Sequence, residues 1–305
     1  MSPTLAAIVP ATDRPSTLER CLEAIRAAHE PPEELIAVTD PAGAGPAEAR
    51  NAGATRATAD LLVFVDADVA VHRDVLVRMR ERFAADPELA GLFGSYDDRP
   101  AAPGVVSAFR NLLHHHVHQS APGPAGTFWA GLGCIRRDVF RASGAFDASR
   151  YPTSSIEDIE LGMRLAEAGA RIELDPGIQG THLKRWTLSQ AAQTDFARRG
   201  IPWVRLLLER RRMPDHLNLG WRHRVSAALS VAGIGALASR RPKLAGLAAV
   251  ALIVLNRSFY ALLLRRRGPV EALVGIGLHA LHHCVGVAAV PAGLLAGASR
   301  WRTSR

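Results

Sequence analysis

The chain is poor in cysteine: Cys21, Cys134 and Cys284 are its only three, far apart and odd in number. That count excludes a disulfide framework and a cysteine-based metal cage, and it points to a reducing compartment. A secretory leader is not expected either, because residues 1–10 carry no basic start and too short an apolar run. Zinc-finger spacing and aromatic RNA-binding signatures are missing, so the formal net charge of +8 is not read as a nucleic-acid groove. No internal repeat is evident. Long apolar runs are absent from the first two thirds, which mix charged and apolar residues as a soluble domain does, and are confined to the last quarter.

What is present suits one large domain plus an appendage, given 305 residues of which 48% are hydrophobic. We divide the chain into a domain over residues 1–215 and a helical, membrane-associated region over residues 216–305. In the latter, residues 225–238 are apolar but shorter than the roughly 20 needed to span a bilayer. Residues 244–264 are long enough yet contain Asn256 and Arg257, and residues 270–298 are nearly uncharged with His279, His282 and His283 inside. Basic clusters flank these runs: Arg210, Arg211 and Arg212; Arg240, Arg241 and Lys243; Arg265, Arg266 and Arg267. At least two spanning helices are expected, with a third segment re-entrant or spanning. The chain is therefore expected to be a multi-pass protein of the cell membrane with its larger domain in the cytoplasm. Arginines lie in both inter-segment loops and leave the orientation of the spans open.

The domain itself reads as strand (5–9), a helix from Ser16 carrying Leu18, Cys21, Leu22 and Ile25 at helical spacing, strand (35–38), helix (46–59), strand (61–65), helix (74–85) and a further strand over 91–94. Ser16, with Glu19 three residues on, reads as a capping box. This alternation predicts an α/β fold with a doubly wound parallel sheet. Ligands bind such sheets beyond the carboxyl ends of the strands, at Pro10 to Arg14, at Asp40 and at Asp66 to Asp68. Residues 101–150 are less regular, 155–168 read as a helix opened by acids, 175–177 as a turn and 189–199 as a helix.

Three constellations carry chemistry. Asp66-Ala67-Asp68 follows a buried strand, and two carboxylates one residue apart can approach one hard divalent cation, Mg²⁺ or Mn²⁺. Left to itself, an acidic pair in a turn is most often a solvated cap. Glu157-Asp158 opens a helix, where the macrodipole alone favours acids, but a carboxylate there can also serve as a general base. His182, Arg185 and Trp186 offer a metal ligand, a phosphate partner and a stacking face, although each is individually ordinary. The histidines at 114, 115, 116 and 118 read as a helix face, since ligand clusters normally mix in carboxylates or cysteines.

In this order the motifs resemble the inverting family 2 glycosyltransferases of the GT-A fold, over roughly Leu5 to Trp186. Ile8-Val9-Pro10-Ala11-Thr12-Asp13-Arg14-Pro15 is similar to the family's opening nucleotide-binding strand and turn, and Asp40 stands where the family contacts the base. Ala49-Arg50-Asn51-Ala52-Gly53 resembles the segment before the metal motif, and Asp66-Ala67-Asp68 the motif itself. The stretch from Trp129 through Gly131 to Arg137, then Gly144-Ala145-Phe146-Asp147, looks like the acceptor side. Glu157-Asp158 matches the acidic pair that supplies the base, and His182-x-x-Arg185-Trp186 the family's Gln-x-x-Arg-Trp block. Two departures stand out. Thr39-Asp40-Pro41-Ala42-Gly43 replaces two acids and Gly-Ser, and His182 replaces Gln, which argues against a processive synthase.

The resemblance implies a GT-A sheet and transfer of a sugar, with inversion, from a UDP- or GDP-sugar to a hydroxyl or phosphate acceptor, lipid or glycan, near the membrane. Asp158 is then the base. Asp66, Asp68 and His182 are the metal set. Pro10, Thr12, Asp13, Arg14, Asp40, Arg50, Asn51 and Asp66 lie on the nucleotide, and Trp129, Gly131, Glu157, Arg185 and Trp186 face acceptor and phosphate. A membrane-tethered nucleotide-sugar-binding scaffold without turnover is the alternative, and it needs neither base nor metal pair. A sugar nucleotidyltransferase would need a glycine-rich loop after the first strand, and Pro10 to Pro15 contains no glycine.

Overall fold

The computed structural model describes residues 2–210 and 220–303, with side chains to residue 296. Arg211, Arg212 and the expected boundary at residues 215/216 lie outside the described residues. The chain forms two compact units: residues 1–102 with 118–184, and residues 103–117 with 185–305. The second unit thus reclaims a helical segment from the middle of the first, which a single cut at residue 215 does not anticipate.

The first unit is built on one sheet. Its strands are β1 (Leu5–Pro10), β2 (Glu34–Val38), β3 (Leu61–Val65), β4 (Val69–Val71), β5 (Leu89–Tyr96), β6 (Gly123–Pro124), β7 (Leu132–Arg136) and β8 (Arg171–His182). They lie in the order β2-β1-β3-β7-β5-β8-β4, with β6 paired to β8. β1 runs parallel to β2 and β3, as expected from the crossover helices α1 (Leu18–Arg26) and α2 (Pro46–Arg56). Beyond β3 the expectation of a purely parallel sheet is corrected. β7 is antiparallel to both β3 and β5, and β4 is antiparallel to β8. β7 comes from the stretch read as irregular, so the alternation that implies parallel strands had already ended.

β3 is buried along its whole length, which is why it reads as an unbroken apolar run. Leu5, Val9, Leu61, Val63, Val65, Leu76 and Met79 help form the core on the face covered by α1 and α3 (Val75–Ala85). Gly53 of α2 faces β1 so closely that a Cβ would overlap Ile8, and this lets α2 lie directly on the strand. The helix α1 is capped at Thr17 without a side-chain hydrogen bond, so the Ser16 capping box does not form. The stretch 175–177, read as a turn, is an irregularity inside the long strand β8. Its Asp175 carboxylate accepts from the Gly177 N–H, keeping the chain within the sheet. Two short helices, α5 (Arg137–Ala142) and α6 (Glu157–Glu167), complete this unit.

The second unit is helical. It contains most of α4 (Val105–Gln119), then α7 (Leu188–Gln193), a π-helical stretch (Thr194–Gly200), α8 (Ile201–Arg210), α9 (Trp221–Ala238), α10 (Pro242–Leu255) and α11 (Arg257–Thr303). α7 has a true capping box, Thr187 with Gln190. Asn256 ends α10, and Gly268 breaks α11 with φ +78°, a conformation that only glycine adopts without strain. Among the described residues one helical segment, Arg257–Ala296, is long and apolar enough to cross a membrane. The expectation of at least two spans is corrected to this single candidate: α10 has 14 residues, and the apolar run over 244–264 is split at Asn256.

Candidate active site

The site grows from the carboxyl end of β3. Asp66 leaves the strand with its N–H donating to the Gly131 carbonyl (3.0 Å), and β4 begins at Val69 after Asp68. From α2, the buried Arg50 reaches two elements at once. One amino group donates to Asp66 Oδ1 (2.6 Å) and the other to Glu157 Oε1 (2.9 Å) at the start of α6. The guanidinium also lies over the Phe146 ring at 5.6 Å. Burial works against the arginine's charge, but Asp66, Glu157 and Asp158 outweigh it and hold Arg50 firmly protonated.

Glu157 is spent on this bridge and on the Ser155 N–H (2.9 Å). Asp158 keeps more freedom: it accepts only backbone N–H groups, from Ala130 (3.1 Å) and from Ile159 (2.8 Å). Burial, and after it the Glu157 charge, push the Asp158 carboxyl up to about 6, against the pull of Arg50. That value suits a base working near neutral pH. Gly162 permits the arrangement, since a Cβ there would overlap the backbone at Thr127 and Phe128, two residues before Ala130.

On the other side of Asp66, the Asp68 carboxylate is largely buried and its Oδ1 has no hydrogen-bond partner. Its Oδ2 lies 3.8 Å from His182 Nε2 and 3.9 Å from the Lys184 ammonium. Burial and the neighbouring Asp66 charge push Asp68 up to about 7. His182 stacks on Tyr96, ring centroids 4.2 Å apart, and Tyr96 meets Trp129 edge-on at 5.0 Å. Among the described residues no three His, Cys, Asp or Glu side chains converge into a ready-made metal cage. The Asp68–His182 pair therefore supplies a partial donor set, with one buried oxygen left over for a cation.

The expected nucleotide residues divide into two groups. Pro10 ends β1, Thr12 is buried and donates to the Ala44 carbonyl (2.5 Å), and Asp13 is exposed. Arg14 takes φ +45° and pairs loosely with Asp40 at 3.5 Å, both side chains exposed at the sheet's carboxyl edge. Asn51 is committed elsewhere. Its amide donates to the Phe146 carbonyl (2.8 Å) and accepts from the Phe146 N–H (3.1 Å), so it clamps a loop and is not free for a nucleotide. Gly131 lies against its neighbour Trp129, whose indole would overlap a Cβ at that position. Arg185 and Trp186 fall in the second unit, where the Trp186 ring lies under the Arg110 guanidinium (4.9 Å) and its backbone N–H donates to the Ser107 hydroxyl. The His118 Nδ1–H donates to the Gly94 carbonyl (2.8 Å), while His114, His115 and His116 lie along α4 and form no metal group among the described residues. All three cysteines are free, and burial pushes the Cys21 thiol to about 12.

Residues 39–144, which include Arg50, Asp66, Asp68 and Gly131, match the model of glycosyl transferase family 2. Over this segment the chain is similar to that family. Two relatives point the same way, the pre-mycofactocin glycosyltransferases of two Mycobacterium tuberculosis strains, each 33% identical over 152 residues. That alignment covers 45% of this chain and 29% of the relatives' length, so the chain spans less than a third of them. Among solved structures, a mannosyltransferase from Pyrobaculum calidifontis in complex with GDP-Man and Mn²⁺ aligns over 95% of this chain and 88% of its own, with TM-score 0.56 and 16% identity. GalNAc-T7 with UDP, GalNAc and Mn²⁺ covers 68% of this chain and 48% of its own, with TM-score 0.50 and 12% identity. These likenesses establish the GT-A fold.

Three contributions had no counterpart in the sequence reading: the Arg50 bridge to Glu157, the strand β4 behind Asp66-Ala67-Asp68, and the buried Asp97 at the end of β5. A signal existed only for the last, as a polar residue after an apolar strand.

Proposed function

We propose that the chain is a metal-dependent, inverting glycosyltransferase that moves a sugar from a nucleotide-sugar donor to an acceptor hydroxyl. The observation that carries this reading is Arg50, which holds Asp66 and Glu157 on one buried guanidinium and so brings the two acidic motifs to one place. In this reading Asp158 takes the proton from the acceptor hydroxyl as its oxygen attacks the anomeric carbon, and the bond to the diphosphate breaks on the opposite face. Arg50 does not touch substrate. It holds Glu157 and Asp66 in position, which leaves Asp158 as the carboxylate that exchanges a proton.

The residues present fit a divalent cation: Asp68 has a buried oxygen without a partner, and His182 stands beside it. A cation bound there supplies charge to offset that of the departing diphosphate. One carboxylate with one imidazole suits Mn²⁺ better than Mg²⁺, which prefers oxygen alone. The two solved relatives that show the fold contain Mn²⁺ with UDP or GDP-Man, in keeping with this assignment. Thr12, Asp13, Arg14 and Asp40 border the carboxyl edge of β1 and β2, where the nucleotide would lie. The acceptor we favour is membrane-proximal, lipid or glycan, because the same chain carries the apolar segment Arg257–Ala296.

The test is binding and hydrolysis of a panel of UDP-, GDP- and dTDP-sugars with Mn²⁺, using Asp68→Ala as control. Metal-dependent engagement of one donor, lost in the variant, is the expected result. No engagement of any donor by folded protein overturns the reading.

A further inference from the structure

The metal motif is followed by a strand too short to hold its own register. β4 has three residues and lies at the edge of the sheet, pairing Val69 with His182, Ala70 with Thr181 and Val71 with Gly180. Short edge strands are weakly specified, and a slip of one residue turns every side chain to the other face. Here a slip would separate Asp68 from His182, because Val69 and His182 are register partners and the Leu183 N–H donates to the Asp68 carbonyl (2.8 Å).

Asp97 fastens this edge. It is buried, and its N–H donates to the Gly180 carbonyl (3.0 Å) on β8. Its Oδ2 accepts from the Thr181 hydroxyl (2.5 Å) on β8 and lies 3.0 Å from His72 Nε2, just past β4. Its Oδ1 accepts from the Arg99 N–H (3.0 Å). The His72 N–H adds one more rung, to the Gln179 carbonyl (3.0 Å). One carboxylate therefore ties β4, β5 and β8 together. Its sequence neighbour Tyr96 stacks on the His182 ring.

We propose that Asp97, with His72 and Thr181, is a positioning clasp that sets the spacing of Asp68 and His182 and thereby the affinity of the site for its divalent cation. The clasp touches neither substrate nor metal, and it rests on the metal assignment made above. Residues that orient metal ligands from outside typically change affinity by about 10- to 100-fold when removed.

The experiment is a titration of the full chain with Mn²⁺ alone, followed by loss of the free-ion electron paramagnetic resonance signal, with thermal unfolding in parallel. His72→Ala and Thr181→Val are expected to raise the Mn²⁺ dissociation constant by about 10-fold or more, and Thr181→Ser, which keeps the hydroxyl, to restore it. His72 is partly exposed, so its variant tests the clasp even if a variant of the buried Asp97 does not fold. Variants that lower the unfolding midpoint but bind Mn²⁺ as the wild type does would show an ordinary structural role and overturn the proposal. So would equal loss in Thr181→Ser and Thr181→Val. A wild-type chain that binds no Mn²⁺ overturns the metal assignment, and the clasp with it, which separates that failure from a failure of the clasp alone.

Discussion

At the scale of single residues, Asp158 differs from the other acids around it because nothing charged bonds to it directly. Glu157 and Asp66 are both bonded to Arg50, whereas Asp158 meets only the N–H groups of Ala130 and Ile159. Asp158→Asn is therefore expected to retain donor binding and to lose transfer by about 10²- to 10⁴-fold, measured as kcat with donor affinity determined separately. Loss of donor binding in that variant would remove Asp158 from the role of base. A pH dependence follows from the same carboxyl. Burial and Glu157 raise it to about 6, and the base works only when ionised. The logarithm of kcat/KM should thus be level above that value and fall with unit slope as pH drops through it. A profile that is flat down to pH 4.5 would contradict the assignment. Arg50→Ala leaves two acids without their cation and should cost about 3–5 kcal/mol, read by chemical denaturation. Arg50→Lys keeps the charge but not the two-armed geometry and should fall between. Of these residue-scale facts, the identities of Asp66, Asp68 and Asp158 were legible as motifs. Which acid is free and which is spent was not, because that depends on a guanidinium arriving from α2.

At the scale of elements, the position of α6 decides where Asp158 points. Gly162 lets this helix lie against the backbone at Thr127 and Phe128, which brings Ala130 to the Asp158 carboxylate. Gly162→Ala forces the helix outward and is expected to destabilise by about 1–3 kcal/mol, with kcat falling more than KM rises. An unchanged kcat in a folded variant would separate the packing from the chemistry. The strands β1 and β3 and the helices α2 and α3 were legible from apolar runs and helical spacing. β7 was hidden, since Leu132-Gly133-Cys134-Ile135-Arg136 is short and contains glycine. Its antiparallel place between β3 and β5 comes from pairing across the sheet, and no local pattern encodes that. β8 was not legible, because Pro176-Gly177 is a sound turn signal that a bonded Asp175 overrides.

At the scale of the whole molecule, the apolar final quarter exposes large side chains that a folded soluble surface rarely gathers. Leu247, Val270, Leu273 and Leu295 are each between 66% and 74% exposed. The full chain is expected to stay in the membrane fraction through a high-salt and carbonate wash and to be released by detergent. Release by salt alone would mean that the basic clusters, and not the apolar faces, hold it there. The division into units was not legible: the change of composition beyond Arg224 is plain, but the structure parts the chain at Lys184/Arg185 and recruits residues 103–117 into the helical unit. In that unit Phe109 and Leu112 of α4 pack with Phe259, Tyr260 and Leu263 of α11, some 150 residues later.

By itself the sequence determined the chemistry available: the acids after β3, the acids at the start of α6, the family 2 segment and the apolar end. These are written in residue type and short spacing, which local pattern reports directly. The tertiary structure alone decided the mixed sheet, the partner of each acid, the use of Asn51 as a clamp and the fastening of β4 by Asp97. The physical reason is that a strand's neighbours and a buried charge's counter-ion are chosen across long stretches of chain, by burial and pairing that no short window of residues contains.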